Sequence, residues 1–132
     1  ARIDIETGVC RYASAGQPAE LIRADGSTET LESGDPPLGV LSGNRLEVRE
    51  AHLRPNDTLL LYTDGISERS PATSELFGVP RMLKSIVESS DSTAEQTLDR
   101  LFDEADTFAN GRARADDMTA IVLKLKSFVA GP

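Results

Sequence analysis

Thr58-Leu59-Leu60-Leu61-Tyr62-Thr63-Asp64-Gly65-Ile66-Ser67-Glu68 is the stretch on which the fold of this chain turns. Residues 58–62 are apolar or strand-favouring and run straight into Thr63-Asp64-Gly65. A run this short and apolar, with Pro55-Asn56-Asp57 before it and Gly65 after it, predicts a buried central strand. The carboxylate at its mouth is the unusual part. Asp64 lies where a core strand emerges, and Gly65 permits a sharp turn there. A carboxylate on the rim of a rigid sheet is well placed to hold a metal ion. Asp-Gly is also the strongest short hairpin signal, so on this stretch alone a plain turn is an equal reading.

Upstream of it, residues 2–5 alternate and predict a short strand, and residues 9–15 a second strand in hairpin with it. The small residues Ala13, Ser14, Ala15 and Gly16 allow another backbone to come close. Residues 19–23 and 27–31 flank the Asp25-Gly26 turn as a further hairpin. Gly34-Asp35-Pro36-Pro37-Leu38-Gly39 is a breaker-rich surface crossing, and residues 46–53 alternate as a half-buried strand. Downstream, residues 69–75 are loop. Pro80 suits a first helical turn, and Met82, Leu83, Ile86 and Val87 give that helix one apolar face. Ser92-Thr93-Ala94-Glu95 reads as a capping box for a second helix, with Leu98, Leu101, Phe102, Ala105 and Phe108 on one side and Gly111 as its C-terminal cap. A last apolar strand spans residues 118–125, with a tail at 127–132. Strands grouped together and helices grouped together predict an α+β fold with antiparallel sheet.

A chain of 132 residues makes one domain with a real core. The net charge of −8, with no basic stretch to offset it, argues against nucleic acid and against anionic membrane surfaces. No apolar run approaches the roughly 18–20 residues of a membrane span. Cys10 is the only cysteine, so no internal disulfide forms, which fits a reducing, cytoplasmic setting. The chain begins without Met and enters a strand pattern at once, as expected of part of a longer polypeptide. His52, the only histidine, reads as a surface residue of its strand; Cys10 reads as a small strand residue with no histidine nearby to activate it. Arg112 and Arg114 precede Asp116 and read as a solvated basic loop, although they also suit steering of a phosphoprotein.

The chemistry rests on two acidic strand ends. Asp64 ends one apolar strand and Asp116 precedes another. If those strands are antiparallel neighbours, the end of one lies beside the start of the other and both carboxylates share a rim. Oxygen ligands without His or Cys select a hard cation, Mg²⁺ or Mn²⁺. Taken alone, Asp116-Asp117 also reads as a solvated turn or a cap. A catalytic two-metal site needs more acidic ligands than these.

Five stretches, in this order, resemble the C-terminal part of the bacterial PP2C-type (PPM) serine/threonine phosphatases of the SpoIIE/RsbU-like group. They are Tyr12-Ala13-Ser14-Ala15-Gly16-Gln17-Pro18, Pro37-Leu38-Gly39, Leu59 through Glu68, Phe77-Gly78 and Asp116-Asp117-Met118-Thr119. Singly each is weak; as a set across nearly the whole chain they are specific. The resemblance implies a PP2C-like α-β-β-α sandwich of antiparallel sheets, here lacking the N-terminal part of the domain, with residues 1–126 as its C-terminal part. It implies Mn²⁺- or Mg²⁺-dependent hydrolysis of phosphoserine or phosphothreonine through a metal-activated water. Asp64 and Asp116 match the metal ligands. Gly65, Glu68, Asp117 and Thr119 match supporting positions, with Glu68 as an acceptor of loop N–H groups. The implied substrate is a phosphorylated STAS-type anti-anti-sigma protein in sigma-factor control, and a sensor or receiver domain is expected to precede the catalytic domain.

Two departures qualify this. The family's N-terminal half, which carries an acidic residue and an Asp-Gly pair toward the metals, has no counterpart before Val9, so this chain alone is expected to hold an incomplete, inactive site. Gln17 stands where the family usually has His, and glutamine is neither acid nor base; it substitutes only if that position bonds a loop. The alternative function is a degenerate phosphatase fold that docks a partner without catalysis. A sandwich cut through its sheets exposes strand edges, so self-association is expected.

Overall fold

The computed structural model describes residues 1–32, 34–43 and 45–128. Two antiparallel sheets are formed. Strands β1 (Arg2–Ile3), β2 (Val9–Tyr12) and β5 (Arg49–His52) make one in the order β1-β2-β5. Strands β3 (Ala19–Ile22), β4 (Thr28–Leu31), β6 (Thr58–Tyr62) and β7 (Ala120–Lys124) make the other in the order β4-β3-β6-β7. Between β6 and β7 come the single turn α1 (Asp64–Ser67) and the helices α2 (Gly78–Glu88) and α3 (Ala94–Phe108).

The chain stacks as helices, sheet, sheet. Successive β6 side chains point to opposite faces, as the strand period of two requires. Leu59 joins Cys10, Leu21, Leu31, Ala51, Leu53 and Leu125 in the core between the sheets. Leu60 and Tyr62 join Ile66, Phe77, Met82, Ile86 and Leu101 beneath the helices. β6 is therefore covered on both faces, which is why its sequence is a continuous apolar run and does not alternate. Strands expected from alternation are present but shorter. β2 stops at Tyr12, where the Ser14 hydroxyl donates to the Gln17 carbonyl at 2.6 Å and closes a turn. β5 begins only at Arg49, because the Glu47 N–H leaves the ladder to bond Asp35 Oδ2 at 2.9 Å and Val48 is left exposed.

Helix ends carry two corrections. The capping box of α3 is built by Thr93 and Gln96, one residue later than expected. The Ser92 N–H is already engaged with the Ser89 carbonyl at 3.0 Å, whereas Thr93 has the extended backbone an N-cap needs. At the other end α3 stops at Phe108 with Ala109 as cap, and the chain then reverses through Asn110 and Gly111, both at positive φ. Lys124 of β7 donates to the carbonyls of Ser89, Ser90 and Ser92, tying the C-terminus of α2 to the sheet where a cation complements the helix dipole. The expected tail reaches residues 129–132, which lie outside the described residues. Among the described residues no helix is long and apolar enough to cross a membrane.

One carboxyl is buried under the helices. Glu20, 2 % exposed, accepts from Thr30 Oγ1 at 2.9 Å and, at 3.4 Å, from the Tyr62 hydroxyl. Burial holds the Glu20 carboxyl above its ordinary range, against those hydrogen bonds, and burial together with the Glu20 charge pushes Tyr62 up to about 12. The folded state thus binds the Glu20 proton more tightly than the unfolded one. Its stabilising contribution is complete below the unfolded value of 4.5 and is lost as pH rises through the higher folded value. Glu20→Gln keeps an acceptor for Thr30 and removes the charge. Thermal melts are expected to show the variant more stable than the parent at pH 7.5 and no more stable at pH 4; equal melting curves at pH 7.5 contradict this.

Candidate metal centre

Antiparallel pairing sets Tyr62 opposite Ala120, so the exit of β6 and the approach to β7 share one end of the sheet. Thr63 continues that link beyond the strands. Its N–H donates to the Thr119 carbonyl at 3.0 Å; its hydroxyl accepts the Thr119 N–H at 3.0 Å and donates to the Asp117 carbonyl at 3.1 Å. The segment carrying Asp116 is thereby bound to the segment carrying Asp64. Thr119 takes part through its backbone.

Asp64 is the first residue of α1. Its carbonyl accepts the Glu68 N–H at 2.7 Å and the Ser67 hydroxyl at 3.2 Å, so Asp64-Gly65 opens a helical turn and the hairpin reading is excluded. Gly65 is needed for a different reason than expected. Its φ is not in the left-handed region. The residue is buried, and a Cβ added there lies 2.2 Å from the Asp117 carbonyl oxygen and 3.5 Å from the Asp116 carbonyl carbon. The glycine lets the Asp116-Asp117 backbone lie directly on α1. Asp64 and Asp116 are both exposed, and Asp116 Oδ1 accepts the Asp117 N–H at 2.7 Å. Beside them is a small cavity of about 60 Å³ whose lining includes Gly65, Glu68, Arg69, Arg112 and Asp116. Glu68 therefore borders the same pocket as Asp116.

Gln17 reaches this end of the sheet from the other side. Its Nε2 donates to the Tyr62 carbonyl at 2.6 Å, immediately before Thr63-Asp64. The turn that holds Gln17 rests on Pro37, whose Cγ lies 2.8 Å from where a Cβ on Gly16 would stand. A side-chain N–H is all that this bond asks of residue 17. Arg112 donates to the Ser70 hydroxyl and the Pro71 carbonyl, and Arg114 pairs with Asp106 at 2.6 Å. His52 is exposed on β5 and Cys10 is fully buried between the sheets, where burial pushes its thiol up.

Two residues escape a reading of the sequence. Thr63 binds the two acidic segments together; its place inside the quoted stretch was the available signal. Arg69 is only 7 % exposed and donates to Asp106 Oδ1 at 2.9 Å, the Arg112 carbonyl at 2.7 Å and the Ala113 carbonyl at 3.2 Å. Nothing in a polar, Pro-containing loop announces a buried arginine.

The donor chemistry at this rim is oxygen only, on a cradle that a Cβ at Gly65 would fill, and it fits part of a hard-cation site. Among the described residues no group of three or more His, Cys, Asp or Glu is arranged to hold an ion.

A family model described as stage II sporulation protein E (SpoIIE) matches residues 1–126. Protein IcfG of Synechocystis sp. is 27 % identical over 92 % of this chain, and stage II sporulation protein E of Bacillus subtilis is 22 % identical over 93 %. The chain spans only 19 % and 14 % of those proteins. The manganese-soaked phosphatase domain of B. subtilis SpoIIE superposes with a TM-score of 0.73 at 19 % identity, covering 98 % of this chain and 56 % of that one. The RsbU and RsbW domains of Rv1364c from Mycobacterium tuberculosis superpose with a TM-score of 0.73 at 26 % identity, covering 97 % of this chain and 35 % of that one. The two sheets and their helices thus make part of a PP2C-like fold, and the chain belongs to the stage II sporulation protein E (SpoIIE) family.

Proposed function

We propose that residues 1–126 are the C-terminal part of a PP2C-type serine/threonine protein phosphatase domain, in which Asp64 and Asp116 ligate Mn²⁺ or Mg²⁺. The observation that carries this reading is the seating of the Asp116-Asp117 backbone on Gly65, which brings an oxygen donor just after β6 and another just before β7 to one rim. When bound, the cation supplies an activated water and charge neutralisation for hydrolysis of a phosphoserine or phosphothreonine ester. The chain's own residues hold the ligands. Thr63 ties the two acidic segments, Gln17 fixes the exit of β6, and Asp117 Oδ is one residue from the proposed ligand. The remaining acidic ligands belong to the longer protein, consistent with a chain that spans 56 % of the matched phosphatase domain. The substrate is a phosphorylated regulatory protein, STAS-type in this family, and the setting is cytoplasmic sigma-factor signalling under a sensor or receiver domain.

The test is hydrolysis of a phosphoserine peptide by the whole protein and by this chain alone, with Mn²⁺ and with EDTA. Turnover is expected for the whole protein only, abolished by EDTA and restored by added Mn²⁺. Turnover insensitive to EDTA removes the metal reading. No turnover by either form transfers the fold to the class of partner-docking modules.

A further inference from the structure

We propose that Arg69 is the positioning residue that sets the placement of Asp116 relative to Asp64, and hence the affinity of the cation site; this rests on the metal reading above. The guanidinium is 7 % exposed and is divided among three bonds. Nη2 and Nη1 take the carbonyls of Arg112 and Ala113, at 2.7 and 3.2 Å, and Nε takes Asp106 Oδ1 of α3 at 2.9 Å. The Arg69 backbone is held as well. Its N–H donates to the Ile66 carbonyl at 3.2 Å, and its carbonyl accepts the Phe77 N–H at 2.7 Å. The side chain therefore springs from the end of the turn that begins at Asp64 and grips the loop three residues ahead of Asp116.

That loop has no secondary structure of its own between Gly111 and β7. Thr63 and Gly65 fix its far side, at Asp117 and Thr119. On its near side Arg69 holds two successive carbonyls, beside the side-chain bonds of Arg112 to Ser70 and Pro71 and of Arg114 to Asp106. Asp116 lies between the two attachments, and Arg69 holds the near backbone itself, so losing its carbonyl bonds loosens the placement of the Asp116 carboxylate. Asp106 anchors the clamp from α3, and Arg114, followed by Arg69, holds its carboxyl below the ordinary range. A planar fork with donors in fixed directions is needed to bond two successive carbonyls and a carboxylate together; an ammonium group cannot span them. Groups that orient metal ligands through hydrogen bonds are commonly worth about 10–100-fold in metal affinity.

The experiment is Mn²⁺ binding to the whole protein, read as loss of the free-ion EPR signal well below each variant's melting temperature. The proteins are the parent, Asp64→Asn, Arg69→Met, Arg69→Lys and Asp57→Asn. The site removed by Asp64→Asn is expected to weaken about tenfold or more in both Arg69 variants. In Asp57→Asn, whose carboxylate network lies at the opposite end of β6 and touches no part of the clamp, it is expected to stay within about twofold of the parent despite a lowered melting temperature. Parent-like Mn²⁺ affinity in Arg69→Lys overturns the proposal, as does an Asp57→Asn loss equal to that of Arg69→Met, which marks a purely structural role. If Arg69→Met does not fold, the Lys and Asp57 variants decide. Equal Mn²⁺ binding by the parent and Asp64→Asn sinks the metal reading itself, and the role of Arg69 with it.

Discussion

Asp57→Ala is expected to remove about 3–5 kcal/mol of folding stability. Asp57 is 1 % exposed, in the turn that feeds β6. Its carboxylate accepts from Arg23 Nη1 at 2.8 Å, from the Arg54 N–H at 2.8 Å and from the Ala24 N–H at 3.2 Å. Its own carbonyl accepts the Leu125 N–H at 3.0 Å at the end of β7. One side chain thus closes the β6 turn and joins it to the turn after β3. Alanine leaves two backbone donors without their partner, at about 1–3 kcal/mol for each one that water cannot reach. It also strips a charge partner from Arg23, a side chain only 19 % exposed. Arg23 still reaches Glu29 and the His52 carbonyl, which caps the loss at the stated range. Against a total stability of about 5–15 kcal/mol, this is a large fraction. Urea unfolding followed by circular dichroism measures it. Asp57→Asn, which keeps an acceptor and loses the charge, is expected to fall between the two. A loss below about 1 kcal/mol for alanine would show that the network is not stabilising.

Gly65→Ala is expected to lower Mn²⁺-dependent phosphopeptide hydrolysis by the whole protein at least about 100-fold, on the scale of a misplacement near 1 Å at a catalytic centre. The added methyl meets the Asp117 carbonyl oxygen at 2.2 Å, closer than any real contact allows. Backbone must yield, and the backbone on offer is the loop holding Asp116. Moving it breaks the Thr63 hydroxyl bond to Asp117 and separates the two proposed ligands. The helical turn itself tolerates alanine, since φ at Gly65 is not left-handed. Activity and Mn²⁺ affinity should therefore fall much further than the melting temperature. Retained activity with an unchanged Mn²⁺ requirement would show that the seating on Gly65 does not govern the site.

Both sites sit at the two ends of β6, and the sequence marks that strand unmistakably. An unbroken apolar run admits few homes besides a strand covered on both faces, so Leu59, Leu60 and Tyr62 were legible as core before any pairing was known. The helices were legible for the same reason: a 3.6-residue period of apolar side chains has one sensible burial. Element ends were less so. The α3 cap moved from Ser92 to Thr93 because a turn bond from Ser89 had already engaged the earlier residue, and β5 shortened because Asp35 competed for a ladder N–H. Such contests are settled by partners distant in sequence.

The amino-acid order by itself determined the fold class, the central strand, the two helices and the pair of acidic strand ends, because local periodicity and composition carry that information. Only the tertiary structure decided why Gly65 is a glycine, what Gln17 bonds, and that Thr63 and Arg69 hold the loop of Asp116. Each of those depends on contacts across more than 40 residues of chain, such as Gln17 to Tyr62 and Arg69 to Ala113. No local pattern encodes them; they exist once β6 and β7 have paired.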